Sequence, residues 1–488
     1  MNKPELMNKP ELMNKPELTL SGCLTTGRGQ VEFTVPQGVD CLTLTAHNRN
    51  KSYLYAFVYD ACRQLRANLL IEPAAKSVTI AAQRALPLGG IPGPLPPGAW
   101  RLALCSIPAQ AHHPTQADYQ ITVAFDPPLP PPDEMLLTVA LRGDHQVCFD
   151  YSACLEPASR WYRGDLHAHT RLSDGHNGLA AAVTLAQEHR LDFLFLTEHN
   201  LCHPALPAGG RTLFLPALEV TTDIGHFNVH GPRRVLTPED GDMAPETLIR
   251  QGLSLNVTGD GNISINHPMM PPWHWQYAAM PLARINTLEV CCDPSWPTSA
   301  AATERALQLL CTLWNGGWRI AAVGGSDCHL RPDERYDGAT QPSVYGDPTT
   351  LVFAHGLSGD AILHGLRQGR VYIDRQCGLR FRFDDGEVLP GQNVGARTVQ
   401  ATLAVENDRP GYVAECVAGG TVISRHALGR DEVSVALPLA SWPWCRIDIR
   451  APDGGFAGLI NPLYNGTHPI FSCQTFTTWG EAVARLPK

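Results

Sequence analysis

From about Leu18 to Asp150 short apolar runs (VEFTV, CLTLTAH, YLYAFVY, SVTIAA, WRLALCS, YQITVAF) alternate with Gly, Pro and Asn. Period-two alternation between turn residues predicts a β-sandwich over 19–150. The Pro-rich DPPLPPPD at 126–133 reads as a stiff spacer, followed by one more strand-like run, MLLTVAL. From Trp161 to about Asp374 the texture changes. Leu179, Ala182, Val183 and Ala186 share one helical face, as do Ala302, Ala306, Leu309 and Leu313. Between them lie LDFLFLTEH, TLFLPALEV, ISINHP, INTLEV, RIAAVGGSD, TTLVFAHG and RVYID. This alternation predicts α/β architecture over 161–375, with parallel βα units closed or nearly closed into a barrel. From Cys377 the β texture returns (LRFRF, VQATLAV, YVAECVA, WCRIDIRA), which predicts a smaller sandwich over 376–488. Residues 1–18 repeat MNKPEL and read as a low-complexity leader without assigned function.

Composition narrows the function classes. The chain of 488 residues is 44% hydrophobic and 17% charged, too apolar and too evenly charged for wholesale disorder. The 41 prolines and 43 glycines argue for many turns and against long coiled coils. No run approaches the ~18 apolar residues of a membrane helix, so no membrane partner is expected. A formal charge of −9 without a basic stripe argues against a nucleic-acid polymer. The 15 cysteines are odd in number and lack CxxC spacing. With no apolar signal segment at the N-terminus, reduced thiols in a cytoplasmic protein are the expectation.

The candidate chemistry is histidine chemistry. Thirteen of the 19 histidines fall within 163–375, several just after strand-like runs. His167 and His169 are two apart, so an extended chain points both to one side, and Asp174 follows. His199 ends LFLTEH; Glu219, His226 and His230 lie in ALEVTTDIGHFNVH; His267 ends ISINH; Asp327 and His329 lie in GGSDCH. A lone HxH or SDxH means little, since exposed histidines are common on strands. The ordered set differs, because buried imidazoles and carboxylates without an ion would be costly. Strand C-termini of a barrel gather on one face, and mixed His and carboxylate donors suit zinc, manganese or iron. Cys328, between two of these residues, reads as a packed thiol and His203 as a loop histidine.

DLHAHTRLSDG, TEHN, the Glu219 segment with Gly225–His226, NHP and GSDCH together resemble the polymerase-and-histidinol-phosphatase (PHP) metallohydrolases. WYRGDLHAHT, LSGDAILHGLRQGRVYID and INPLY resemble the CehA/McbA branch. The resemblance implies a distorted (β/α)7 barrel holding about two to three divalent ions (Zn, Mn or Fe). It implies that His167, His169, Glu219 and Asp327 hold one ion. Glu219 would bridge to a second with His267 and either His226 or His230, the Gly-His dipeptide favouring His226. Asp174, His199 and His329 would hold the third. Glu219, Asp327 and His226 would sit nearest the chemistry, in which a metal-bridging hydroxide attacks the substrate.

Arg233, Arg234 and Arg331 could reach an anionic oxygen, and Trp273 with Trp275 could form an aromatic wall. Surface solvation and core packing are their ordinary alternatives. Three functions follow: hydrolysis of a small phosphomonoester or phosphodiester, hydrolysis of a carbamate or carboxylic aryl ester, or metal and ligand binding without catalysis. Cations near the ligands would favour the first, an aromatic wall without cations the second. The β domains are expected to cover the barrel or to mediate self-association.

Overall fold

The computed structural model describes residues 17–50, 52–107, 116–129, 135–237, 244–256 and 259–487. The first 16 residues of the leader and residues 130–133 of the Pro-rich spacer lie outside them. The N-terminal runs form two four-stranded antiparallel sheets. One runs Glu17–Thr25, Gln116–Phe125, Cys41–Asn48, Lys76–Ala81; the other runs Gly27–Val35, Gly98–Ile107, Tyr53–Tyr59, Leu65–Ile71. Their facing sides enclose Phe33, Leu42, Leu54, Val78, Trp100 and Ile121. YLYAFVY is apolar on both sides because both sides are covered. Leu54, Ala56 and Val58 face the sandwich core, whereas Tyr55, Phe57 and Tyr59 pack with Leu172, Leu201, Cys202 and Leu248. The sandwich is thereby sealed against the segments that carry the histidines.

A 13-stranded sheet organises the rest of the chain. In it Ala321–Gly325, Thr287–Cys292, Asn262–Ile265, Gly225–His230, Leu213–Thr222, Phe193–Leu196 and Glu156–Asp165 lie side by side. Parallel pairing holds except around Gly225–His230, which is antiparallel to both neighbours. This corrects the expected (β/α)7 barrel. Among the described residues the strands from 156 to 325 are joined by three α-helices, Leu179–Glu188, Pro245–Ser254 and Ser299–Asn315. Leu213–Thr222 and Gly225–His230 form a hairpin, which needs no crossover helix. The helical faces follow the predicted spacing with small shifts: Leu185, and not Val183, joins Leu179, Ala182 and Ala186 in the interior.

The two ends of this strand group meet through single bonds in place of a ladder. Ala168 and Cys328 form a parallel bridge, with Asp327 N donating to His167 O (2.7 Å) and His169 N to Cys328 O (3.2 Å). Asp165 reinforces the junction: Oδ1 accepts from the amides of His167 and Ser326, and Oδ2 from that of Gly346. Farther along, Asn461 acts as a substitute peptide, accepting from Ala322 N and donating to Ala322 O, both at 2.7 Å. The buried carboxylate and amide thus satisfy backbone groups that no strand covers.

The sheet continues without a break into the C-terminal region, where Phe456–Tyr464 pairs with Val371–Asp374 and is followed by Trp444–Arg450, Tyr412–Ala418 and Thr421–Leu428. A three-stranded sheet of Leu379–Phe383, Thr398–Val405 and Val433–Pro438 covers it around Val399, Leu403, Ile447 and Leu463. No helix among the described residues is long and apolar enough to cross a membrane.

Candidate metal centre

The strand ends deliver their polar side chains to one buried point. Glu219 leaves the middle of Leu213–Thr222 fully buried, ringed by imidazoles. His199 Nδ1 lies 2.6 Å from Glu219 Oε2, and His226 Nδ1 3.1 Å from Oε1. The Nε2 atoms of His167, His169 and His267 stand 3.3, 3.6 and 3.5 Å from the same carboxylate. Asp327 Oδ1 is 3.1 Å from both His167 Nε2 and His169 Nε2. Asp174 Oδ1 is 3.3 Å from His199 Nε2 and from His329 Nε2.

These donors form compact sets in which the ligand atoms lie within 4.8 Å of one another. The sets are His169–Asp174–His199–His329, His167–His169–Glu219, His199–Glu219–His226 and His167–Cys292–Asp327. His199 therefore belongs beside Glu219 as much as beside Asp174. His267 reaches Glu219 yet joins none of the compact sets. His167 Nε2, His169 Nε2, Asp174 Oδ1 and Glu219 Oε2 are buried without a hydrogen bond. Orphaned donors of matched chemistry aimed at common points fit divalent ions bound by nitrogen and oxygen.

The other side of each ring fixes its direction. His167 Nδ1 hydrogen-bonds Glu289 Oε1 (3.0 Å), while Glu289 Oε2 accepts the His267 amide (2.7 Å). This leaves His167 Nε2 free to bind. Gly325 is required here, since a Cβ would stand 2.3 Å from Glu289 Oε1 and 2.5 Å from His167 Cβ. His329 Nδ1 donates to the Asp327 carbonyl at 2.8 Å. His267 and Asp327 adopt φ of 29° and 48°, strain typical of functional turns.

His226 and His230 differ sharply. His230 Nε2 donates to Leu166 O (2.7 Å), and its Nδ1 accepts from Asn262 Nδ2 (3.0 Å), so both nitrogens are engaged away from the carboxylates. Gly225 serves a different purpose from a close approach to the cluster. Its φ is 115°, and a Cβ there would meet Trp275 Cα at 2.7 Å. Cys328 is buried, contacting Ser343 O and Leu330 O, and burial pushes its thiol up. His203 is also buried and pairs with Glu198 at 2.8 Å.

The ligands open on a cavity of about 260 Å³ lined by Tyr53, Met270, Trp273, Asp293, Trp296 and Tyr336 besides the ligands. Trp296 meets Trp273 and Tyr336 edge to face, at 5.0 and 4.9 Å between ring centres. Trp273 thus stands where an aromatic wall requires it. Trp275 does not, because it is buried in the core against Phe227. Arg233 lies over Tyr151 and near Asp360, Arg331 is exposed with its amide on Glu334, and neither lines the cavity. Arg234 lines a separate groove. Tyr53, Trp296, Tyr336 and Glu289 carry no motif. Only their long-range placement shows their part.

Burial opposes ionisation of Glu219, Asp174 and Asp327, yet the imidazoles beside them hold all three below the usual carboxylate range. Burial likewise opposes protonation of the rings, but carboxylates outweigh it at His167 and His199 and raise His329 to about 9. Burial wins at His169, lowered to about 4, and at His226.

No family model matches this chain, and no curated protein matches it. Among solved structures, a two-domain protein from Bacteroides vulgatus containing a predicted PHP-like metal-dependent phosphoesterase is 15% identical. The alignment covers 64% of this chain and 98% of that one, at a TM-score of 0.36. The family 11 carbohydrate-binding module of a Clostridium thermocellum cellulase aligns at 8% identity over 26% of this chain and 95% of its own, with a TM-score of 0.14. Likeness at this level fixes neither fold nor activity.

Two outcomes follow from the geometry. His226→Ala is expected to lose metal from the Glu219 site, whereas His230→Ala keeps its metal content; elemental analysis showing the reverse would exchange their roles. Because the neighbouring carboxylates favour the protonated form of His167, His199 and His329, uptake near pH 7.5 should release protons, and affinity should rise as pH climbs through the His329 value of about 9. Calorimetry in two buffers of different ionisation enthalpy measures this, and a buffer-independent heat would contradict it.

Proposed function

We propose that the protein is a metal-dependent hydrolase of PHP type, in the CehA/McbA branch, acting on a small ester with a flat apolar group. The observation carrying this reading is the juxtaposition of ligand sets and aromatic wall in one cavity. His167, His169, Glu219 and Asp327 would hold one ion, with Cys292 at its edge. Glu219, His226 and His267 would hold another, and Asp174, His199 and His329 a third. When bound, such ions supply net positive charge, polarise the scissile oxygen and acidify water. Glu219 and Asp327 set the charge at this point, Glu289 holds the His167 tautomer, and Trp273, Trp296 and Tyr336 orient the apolar group.

A phosphomonoester or phosphodiester is the first substrate class, since three carboxylates against two or three dications leave an anion-attracting centre. A carbamate or carboxylic aryl ester is the second, favoured by the absence of Lys and Arg among the described residues lining this cavity. Binding without catalysis is the weakest reading, because the cavity leaves room for a substrate beside the ligands.

p-Nitrophenyl phosphate, bis-p-nitrophenyl phosphate and a naphthyl carbamate, assayed with added zinc, manganese or iron, separate the classes. Turnover of at least one, abolished by a chelator, is expected. Trp296→Ala should raise KM for the preferred aryl substrate by about tenfold, on the scale of losing one aromatic contact, with kcat less affected. Chelator-insensitive turnover, or an unchanged KM, would contradict the reading.

A further inference from the structure

We infer that Tyr53, a residue of the N-terminal sandwich, is a positioning residue of the metal centre that fixes which oxygen of Asp174 faces the ion. The inference rests on the metal-centre reading above. Tyr53 Oη donates to Asp174 Oδ2 at 3.2 Å, and its ring lies 5.3 Å from that of His199 at 31°. The other oxygen, Oδ1, is buried without a hydrogen bond and faces His199 Nε2 and His329 Nε2 at 3.3 Å. A carboxylate bound through one oxygen can turn and exchange the two. A phenol donor on Oδ2 removes that freedom and leaves Oδ1 alone for the ion.

The rest of the sandwich braces the same two segments. Lys76 Nζ, buried and paired with Glu72, donates to Ser173 O, next to Asp174. Leu70 N donates to Leu172 O at 3.4 Å. On the His199 side, Asn200 Nδ2 donates to Tyr55 Oη (3.2 Å) and Asn68 Nδ2 to Cys202 O (3.2 Å). The sandwich is thus part of the centre rather than a cover for it.

Tyr53→Phe keeps the ring and removes the hydroxyl. Chelator competition followed by metal analysis should show one ion bound about 10–100-fold more weakly, the usual cost of losing an outer partner of a ligand. The other sites should be unchanged, as should the melting temperature of metal-free protein. Asp174→Asn should weaken the same ion, and the double variant should lose little more, since both act through one carboxylate. Metal affinities equal to wild type in Tyr53→Phe would overturn the inference. So would additive losses in the double variant, or loss of all ions together with a lowered metal-free melting temperature. Wild-type protein that binds no divalent ion would overturn the metal-centre reading itself, a different failure from that of Tyr53.

Discussion

The carboxylate of Glu219 is the constraint around which the molecule is arranged. A buried charge survives only if neighbours compensate it, and here the neighbours are His167, His169, His199, His226 and His267. Bringing imidazoles from so many strand ends to one carboxylate demands that the strand group bend back on itself. The bridge between Ala168 and Cys328, the Asp165 carboxylate and the Asn461 amide do this where no continuous ladder exists. The strained backbone at His267 and Asp327 serves the same convergence.

The centre has two walls of different chemistry. The ligand wall is polar, its rings aimed by Glu289, Thr221 and the Asp327 carbonyl. The opposite wall is aromatic, built from Trp273 after His267, Tyr336 after Asp327 and Trp296 after the strand Thr287–Cys292. The loops that carry two ligands therefore also shape the substrate space. Tyr53 closes the arrangement from a separate part of the sequence.

Much of this was legible in the sequence because histidines and carboxylates clustered at strand ends leave local marks. HAH, TEH, NHP and SDCH each follow a strand, and His167, His169, His199, His226, His267 and His329 meet Asp174, Glu219 and Asp327 in the cluster, whereas His230 turns away from it. The strand runs were equally plain, since alternation is a local property. What stayed hidden depends on distant register. Glu289 looks like any strand residue until Gly325 and His167 are placed beside it. Trp275 and Trp273 are two apart on one loop, yet one is core and the other faces the cavity, a difference the local pattern does not encode. The seven βα units implied by the resemblance are not evidenced among the described residues, where a hairpin joins Leu213–Thr222 to Gly225–His230 without a helix.

The most direct test is the metal content of the native protein set against that of Glu219→Gln, a change that keeps shape but removes the shared charge. About two to three divalent ions per chain are expected in the native protein, with loss of at least one in the variant and a fall in turnover of at least ~100-fold. Native protein that is active without metal, or a variant with undiminished metal and near-native turnover, would contradict the account.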